Sequence, residues 1–159
     1  MRRSNVGTER SSLMNVGHRV DNAVSALTYL AGQSPGKVIR RAEIEKKQDI
    51  PSHYLSKIMM DLVAGGLVYS HIGSKGGFSL ARLAETISIK EVYETVGRPI
   101  VLMWCLEKGD EYCPYCSVCT QTSVWDRARS ILVNYLASVN ISNIADQTGL
   151  RERYISLHG

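Results

Sequence analysis

The fold of this chain is predicted by residues 51–82, PSHYLSKIMMDLVAGGLVYSHIGSKGGFSLAR. In its first half the apolar residues follow the i, i+3, i+4, i+7, i+8 spacing that lines one face of a helix: Leu55, Ile58, Met59, Leu62 and Val63. After Gly65 and Gly66 the pattern changes to period two, in the segments 67–71 and 78–82, around a glycine-rich tip that contains Lys75. The stretch therefore predicts an amphipathic helix followed directly by a two-stranded hairpin.

Two further helices are predicted before this stretch. The segment 20–32, VDNAVSALTYLAG, ends at Gly32 and has apolar residues at helical spacing: Ala23, Leu27, Leu30 and Ala31. The segment 38–48, VIRRAEIEKKQ, predicts a short charged helix that ends before Pro51. We expect three of its side chains to point inward: Ile39, Ala42 and Ile44.

Two more helices are predicted after the hairpin. The segment 88–97, SIKEVYETVG, is short and amphipathic, with one apolar side: Ile89, Val92, Tyr93 and Val96. The segment 123–139, SVWDRARSILVNYLASV, predicts a long final helix with an apolar stripe: Val124, Ala128, Ile131, Leu132 and Tyr135. This stripe either pairs with a second copy in a dimer or packs on its own domain.

Together these elements predict a mainly α fold with a small β-hairpin wing, which is a winged helix-turn-helix plus a long C-terminal dimerisation helix. We expect five segments along the chain. They are a flexible leader (1–13), a winged helix-turn-helix domain (14–104), a cysteine loop (105–122), the dimerisation helix (123–139) and a polar tail (140–159) that is frayed beyond a short turn.

A winged helix-turn-helix places its second helix in the major groove of DNA and its wing against phosphates or the minor groove. With the apolar face of the helix turned inward, its first turns present side chains that can hydrogen-bond to bases or neutralise phosphates. The candidate DNA-binding residues are Ser52, His53, Tyr54, Ser56 and Lys57 on this helix, Arg40 and Arg41 before it, and His71, Ser74, Lys75 and Gly76 in the wing. The alternative is a protein-interaction module with a solvated polar face.

Composition limits the function classes. The formal net charge is +4, from 19 Lys and Arg against 15 Asp and Glu, which permits nucleic-acid binding without requiring it. No apolar run reaches the roughly 18 residues of a membrane span, and the first residues lack the apolar centre of a secretory signal. We therefore expect a cytoplasmic protein with no membrane partner. No nucleophile is paired with a base in the sequence, so we expect no enzymatic activity.

All four cysteines of the chain lie between Cys105 and Cys119. Because cytoplasmic thiols stay reduced, such a cluster suggests metal ligands or redox groups rather than a structural disulfide. The spacing of Cys113, Cys116 and Cys119 is similar to the ligand run of bacterial ferredoxins, with Cys105 as a fourth thiolate. Thiolates suit iron–sulfur clusters and zinc alike, but zinc sites usually join two separated cysteine pairs. Iron–sulfur is the preferred expectation; structural zinc and reactive thiols without metal are the alternatives.

From about residue 14 to residue 146 the sequence resembles the Rrf2 family, the winged-helix iron–sulfur regulators typified by IscR and NsrR. The resemblance lies in DNAVSALTYLA (21–31), PSHYLSKIMMDLVAGGLVYS (51–70), GSKGGFSLAR (73–82), SIKEVYETVG (88–97), LMWC (102–105), the later cysteines and Trp125. It implies a homodimer that binds an operator in double-stranded DNA and holds a [4Fe-4S] or [2Fe-2S] cluster. The family's wing usually has an arginine where this chain has Ile72 and a tyrosine where it has Phe78, so an arginine in the minor groove is not expected here.

The resemblance also implies two alternative ligand sets. Family members with a cluster use three cysteines, which correspond to Cys105, Cys113 and Cys119, and the fourth ligand varies. The IscR-like histidine corresponds to Thr122, a poor ligand, whereas the NsrR-like aspartate of the partner subunit corresponds to Asp21. Either Asp21 of the second chain completes the set, which the family match favours, or Cys116 completes an all-cysteine set within one chain.

The sequence thus leads us to expect a transcriptional regulator, specifically a repressor, that senses iron–sulfur status, nitric oxide or redox state. Two other functions stay open. One is a repressor whose cysteines bind structural zinc. The other is an iron–sulfur electron-transfer or assembly accessory protein that uses the winged helix as an interaction module.

Overall fold

The structure is a computed structural model that describes residues 17–97 and 99–145. Its helices are α1 (His18–Ala31), α2 (Arg41–Gln48), α3 (Ser52–Ala64), α4 (Ile89–Val96), α5 (Trp104–Lys108) and α6 (Thr122–Ser138), and its strands are β1 (Val68–His71) and β2 (Gly77–Leu80). Short 3₁₀ turns occupy Ala84–Thr86, Gly109–Glu111 and Cys116–Val118. Residues 141–145 are helical. The predicted winged helix-turn-helix, mostly helical with one hairpin, is confirmed.

The core lies where α1, α3 and α4 meet. The predicted apolar face of α3 is buried almost completely, with Leu55, Ile58, Met59 and Leu62 at most 1% exposed. Helix α1 contributes fully buried Ala23, Ala26 and Leu27, and α4 contributes Val92. Each buried CH₂ group stabilises the fold by about 0.8 kcal/mol, so the α3 face fixes which side of that helix can face outward.

Local capping explains where the helices begin and end. The Ser88 side chain accepts a hydrogen bond from the backbone N–H of Glu91 at 3.2 Å, which satisfies a free donor at the start of α4. Helix α2 ends at Gln48, and the next residue, Asp49, has a left-handed backbone (φ 52°, ψ 43°) that aspartate tolerates better than most residues. Pro51 then directs the chain into α3, which gives the tight turn between the two helices.

The start of the second helix differs from the prediction. Helix α2 begins at Arg41, because Ile39 instead pairs with Phe78 of β2 in an antiparallel bridge. The two residues exchange backbone hydrogen bonds, both 2.8 Å long. Ile39 is buried as expected, but Ala42 is exposed, so its predicted inward position was wrong. The wing is thereby tied to the segment that leads into the helix-turn-helix.

Helix α6 confirms the predicted long helix, and none of its residues is fully buried within this chain. Its far end is fixed to α4, because Val139 O accepts the backbone N–H of Ile89 at 2.9 Å. The next residues return to the core: Ile141 donates to Ile87 O at 2.9 Å and its side chain is completely buried. Residues 141–145 correspond to the short turn expected at the start of the tail. Residues 1–16 and 146–159, with the leader and the rest of the tail, lie outside the described residues.

Within the described ranges, every helix is too short or too polar to cross a membrane.

Candidate DNA-binding surface and cysteine site

The first turns of α3 present their polar side chains outward. Ser52, His53 and Lys57 are exposed, as the burial of the opposite face requires. Tyr54 is half-buried and packs against the core, so its ring supports the helix from the side. The exposed patch combines two hydrogen-bonding side chains with one cation, which is the chemistry needed to contact base edges and phosphates.

A small polar network holds α2 against α3. Arg41 Nη1 donates to Ser56 Oγ at 3.1 Å, while Ser56 Oγ donates to the backbone carbonyl of Ser52 at 2.8 Å. Arg41 Nε also pairs with Glu45 at 2.9 Å, whereas the side chain of Arg40 is exposed at the start of α2. The predicted Arg41 and Ser56 thus lie together and share a hydrogen bond, which limits how freely either can reach toward DNA.

A side-chain hydrogen bond crosses the two strands of the wing. His71 Nε2 and Ser79 Oγ are 2.9 Å apart in a hydrogen bond between β1 and β2. Ile72, Ser74 and Lys75 are exposed at the tip. The apolar Ile72, at the position where the family arginine was expected, is fully exposed to solvent. Gly76 is half-buried and lies close to the His71 carbonyl, so it shapes the turn and presents no side chain.

The four cysteines are free thiols in a compact loop of short turns. Cys105 is buried on α5, and the other three are half-buried. The Cys116 thiol donates to the backbone carbonyl of Cys105 at 3.1 Å. Residues separated by eleven positions therefore meet, because the chain reverses between α5 and the 3₁₀ turn Cys116–Val118.

Two of these thiols have different electrostatic surroundings. Desolvation raises the pKa of the Cys116 thiol, and the nearby Cys105 and Asp110 raise it further. By contrast, hydrogen bonds from the Gln121 backbone and the Thr122 side chain lower the pKa of Cys119, which stands just before the first turn of α6. Cys116 thus faces Cys105, while Cys119 faces the start of the long helix.

The donor chemistry of the loop fits a thiolate-bound cluster or zinc ion, since four soft sulfur donors lie within fifteen residues. The side chains are not assembled around a common point: among the described residues no three His, Cys, Asp or Glu side chains are placed to hold a metal ion. Asp21 is exposed on α1, and no described hydrogen bond or ion pair joins its side chain to the loop. Binding would require the thiols to turn toward one another.

Several hydrogen bonds connect the cysteine loop to α6. Thr122 Oγ1 donates to the carbonyl of Cys116 at 3.3 Å, and the backbone N–H of Thr122 donates to the Cys119 carbonyl at 3.3 Å. Farther along α6, Arg129 Nε donates to the carbonyl of Ile100 at 2.9 Å. The helix is therefore bonded directly to the loop and to the segment before α5.

Sequence reasoning missed three residues that position these surfaces. Gly77 allows the close approach of Ile39 in the wing, Thr122 links the loop to α6, and Ile141 anchors the end of α6. A signal for Gly77 was present, since a glycine inside a strand often marks a close backbone approach. The other two depend on tertiary contacts that the local pattern does not contain.

Residues 16–147 match the family model described as Rrf2, iron-dependent transcriptional regulator. A predicted HTH-type transcriptional regulator of Mycobacterium tuberculosis is 30% identical over 133 residues, 83% of this chain and 81% of that protein. The regulator NsrR of Oceanobacillus iheyensis is 26% identical over 92% of this chain and 97% of its own length. The regulator IscR of Cereibacter sphaeroides is 38% identical over 46% of this chain and 48% of its own length.

Solved structures show the same fold. CymR, the global cysteine regulator of B. subtilis, superposes with a TM-score of 0.69 at 20% identity, covering 84% of this chain and 97% of its own. At that identity the similarity concerns the fold alone. The family match, in contrast, spans most of the sequence together with all four cysteines and the complete wing. The chain belongs to the Rrf2 family of transcriptional regulators.

Proposed function

We propose that this protein is a homodimeric DNA-binding repressor whose operator affinity is set by an iron–sulfur cluster in the 105–119 loop. One observation supports the proposal above all. A loop with four thiols is hydrogen-bonded directly to a long helix with an unburied apolar face, and the same chain contains a winged helix-turn-helix.

DNA contact is assigned to the start of α3, the start of α2 and the wing tip. Ser52 and His53 would contact base edges, and Lys57 would neutralise a phosphate near them. Lys75 extends the positive charge to the wing tip. Because Ile72 replaces a cationic side chain there, the wing would contribute less electrostatic attraction than an arginine-tipped wing.

Lys57→Ala tests this assignment. Duplexes recovered by this protein from a random library serve as the probe, and affinity is measured by fluorescence anisotropy across a salt series. Losing one phosphate contact per protomer, two per dimer, should weaken binding and reduce the slope of log affinity against log salt by about 1.8. Lys90→Ala is the matched control, since Lys90 pairs with Glu94 on α4 at 3.1 Å, outside the proposed surface. Equal affinity and equal slope for both variants would contradict the assignment.

The dimer is assigned to α6. Ile131 and Tyr135 are 61% and 64% exposed, and Val124 is also largely exposed. These residues belong to the predicted stripe, and each of them is exposed in its own chain, whereas the stripe residues Ala128 and Leu132 are half-buried. Large apolar side chains on one long helix suit burial against the same helix of a second copy, which would hold two α3 helices at a fixed separation.

For the cluster, Cys105 and Cys113 belong to both proposed ligand sets. Cys119 also belongs to both. Asp21 of the partner subunit completes one set, as the family resemblance implies, and Cys116 completes the other within a single chain. The hydrogen bond from Cys116 to Cys105 supports the single-chain set. When bound, a cluster would supply a centre that is sensitive to oxygen, nitric oxide and iron supply, and the thiolates would hold it beside α6.

Three variants separate the ligand sets: Asp21→Ala, Cys116→Ala and Cys119→Ala. Each is purified without oxygen, and iron and labile sulfide are measured per chain. Cys119→Ala should lose iron under either set, because Cys119 belongs to both. The cross-subunit set predicts loss of iron in Asp21→Ala, with Cys116→Ala unaffected. The single-chain set predicts loss in Cys116→Ala and an unaffected Asp21→Ala. If all three variants retain iron and sulfide fully, both sets are wrong.

The contacts of α6 provide a route from the loop to DNA. The helix begins at the cysteine loop, and its end is bonded to the start of α4. Helix α4 packs against both α1 and α3. We therefore propose that closing the thiols around a cluster shifts α6, and with it the separation of the two α3 helices.

A further inference from the structure

Two of the four cysteines are already in contact. The Cys116 thiol donates to the backbone carbonyl of Cys105 at 3.1 Å. That carbonyl oxygen is two bonds from the Cα of Cys105. The sulfur of Cys116 therefore lies against the backbone of Cys105, and a disulfide between them needs a short approach of the two side chains.

The Cys119 thiol is directed elsewhere, whereas Cys113 also acts electrostatically on the Cys116 thiol. Cys119 interacts with the Gln121 backbone and with Thr122 at the start of α6. The backbone N–H of Cys116 donates to the backbone carbonyl of Cys113 at 3.0 Å. The pair also differs in access, because Cys105 is buried and Cys116 is half-buried. Within the pair, a small oxidant would therefore reach Cys116 before Cys105.

We propose that Cys105 and Cys116 form a reversible intrachain disulfide when the loop holds no metal. The oxidant is a low-molecular-weight disulfide such as glutathione disulfide. The Cys116 sulfur attacks it, forms a mixed disulfide and releases one glutathione thiolate. The Cys105 sulfur then attacks the Cys116 sulfur and releases the second thiolate. The two protein thiols are oxidised, glutathione disulfide is reduced to two thiols, and the two protons from the protein thiols end on glutathione.

This disulfide would act as a control on metal loading. Cys105 belongs to both ligand sets proposed above, so its oxidation removes one thiolate from either set. The bond would also fix α5 to the 3₁₀ turn Cys116–Val118, which Thr122 links to α6. Formation of the disulfide does not depend on the proposed function, whereas its effect on cluster loading does.

The metal-free chain, equilibrated in anaerobic glutathione buffers of increasing oxidised fraction, tests the pairing. Remaining thiols are alkylated, and the linked peptides are identified by mass spectrometry after proteolysis. The expected product joins Cys105 to Cys116, while Cys113 and Cys119 stay alkylated. Four alkylated cysteines in every buffer, or a bond joining Cys113 to Cys119, would overturn the inference.

Two variants and a zinc titration complete the experiment. Cys119→Ser should form the disulfide like the unmodified chain, and Cys116→Ser should not form it; equal oxidation of the two variants would also overturn the pairing. Zinc uptake by the disulfide form should fall severalfold and return after reduction with dithiothreitol. A chain that forms this disulfide but never binds iron would retain the inference and refute the proposed function.

Discussion

Replacing Gly77 with alanine should detach the wing from the helix-turn-helix. A Cβ atom at this position would lie 2.2 Å from the Ile39 carbonyl oxygen and 2.7 Å from its carbon, distances that real structures do not tolerate. The strand must therefore move, and the two backbone hydrogen bonds between Ile39 and Phe78 are lost. At about 1 kcal/mol each, they account for ~2 kcal/mol.

Alanine also restricts the unfolded chain, which offsets roughly 0.4–1 kcal/mol of this loss. The net destabilisation is then about 1–2 kcal/mol, and the expected fall in Tm is about 2–8 °C for a chain of this size. Thermal unfolding is followed by circular dichroism at one protein concentration, because oligomerisation makes Tm depend on concentration. DNA affinity should fall as well, since the wing is no longer held beside α3.

Gly32→Ala is the control for this prediction. Its nearest atoms are the carbonyl oxygens of Thr28 and Tyr29, both at the ordinary distance of 3.7 Å, and its backbone is right-handed. The control should melt at or slightly above the temperature of the unmodified protein. If Gly77→Ala has the same Tm as the control, the tight contact between Ile39 and β2 does not hold the wing in place.

The remaining predictions concern the end of α6 and its exposed face. Ile141→Ala should destabilise the fold by about 2–5 kcal/mol because a fully buried side chain is truncated. The control Ile72→Ala, at a fully exposed position, should change stability by less than about 0.5 kcal/mol. Both are measured by denaturant titration. Similar losses in the two variants would mean that residues 140–145 do not anchor the chain. Tyr135→Glu should convert the proposed dimer to a monomer, as measured by light scattering, with Ile72→Glu as control; a persistent dimer would place the interface elsewhere.

Sequence periodicity predicted the parts of the fold that rest on local patterns. The α3 face is an example, because four apolar residues at helical spacing leave one way to bury them. The change to period two after Gly66 predicted the wing for a similar reason. Bridge formation by Ile39 was not predictable, since a single paired residue has no period and depends on its distant partner Phe78.

The candidate site was predictable in composition but not in arrangement. Four closely spaced cysteines indicate soft-metal or redox chemistry from residue type alone. Their spacing does not indicate which thiols meet, because that depends on how the short turns between α5 and α6 fold. The contact of Cys116 with Cys105, and the position of Cys119 at the start of α6, emerged only in three dimensions.

The most direct test measures cluster content and DNA affinity on one anaerobic preparation. Iron and labile sulfide are determined per chain, and anisotropy with a recovered duplex gives the affinity before and after the cluster is removed by a chelator. If a cluster controls DNA binding, the preparation contains iron and sulfide in similar amounts, and removing the cluster changes the DNA affinity roughly tenfold or more. A change of this size lies within the usual range of coupling between sites. Two results together would contradict cluster control of DNA binding. The preparation would contain no iron and sulfide, or zinc in their place, and its DNA affinity would stay the same after its thiols are blocked.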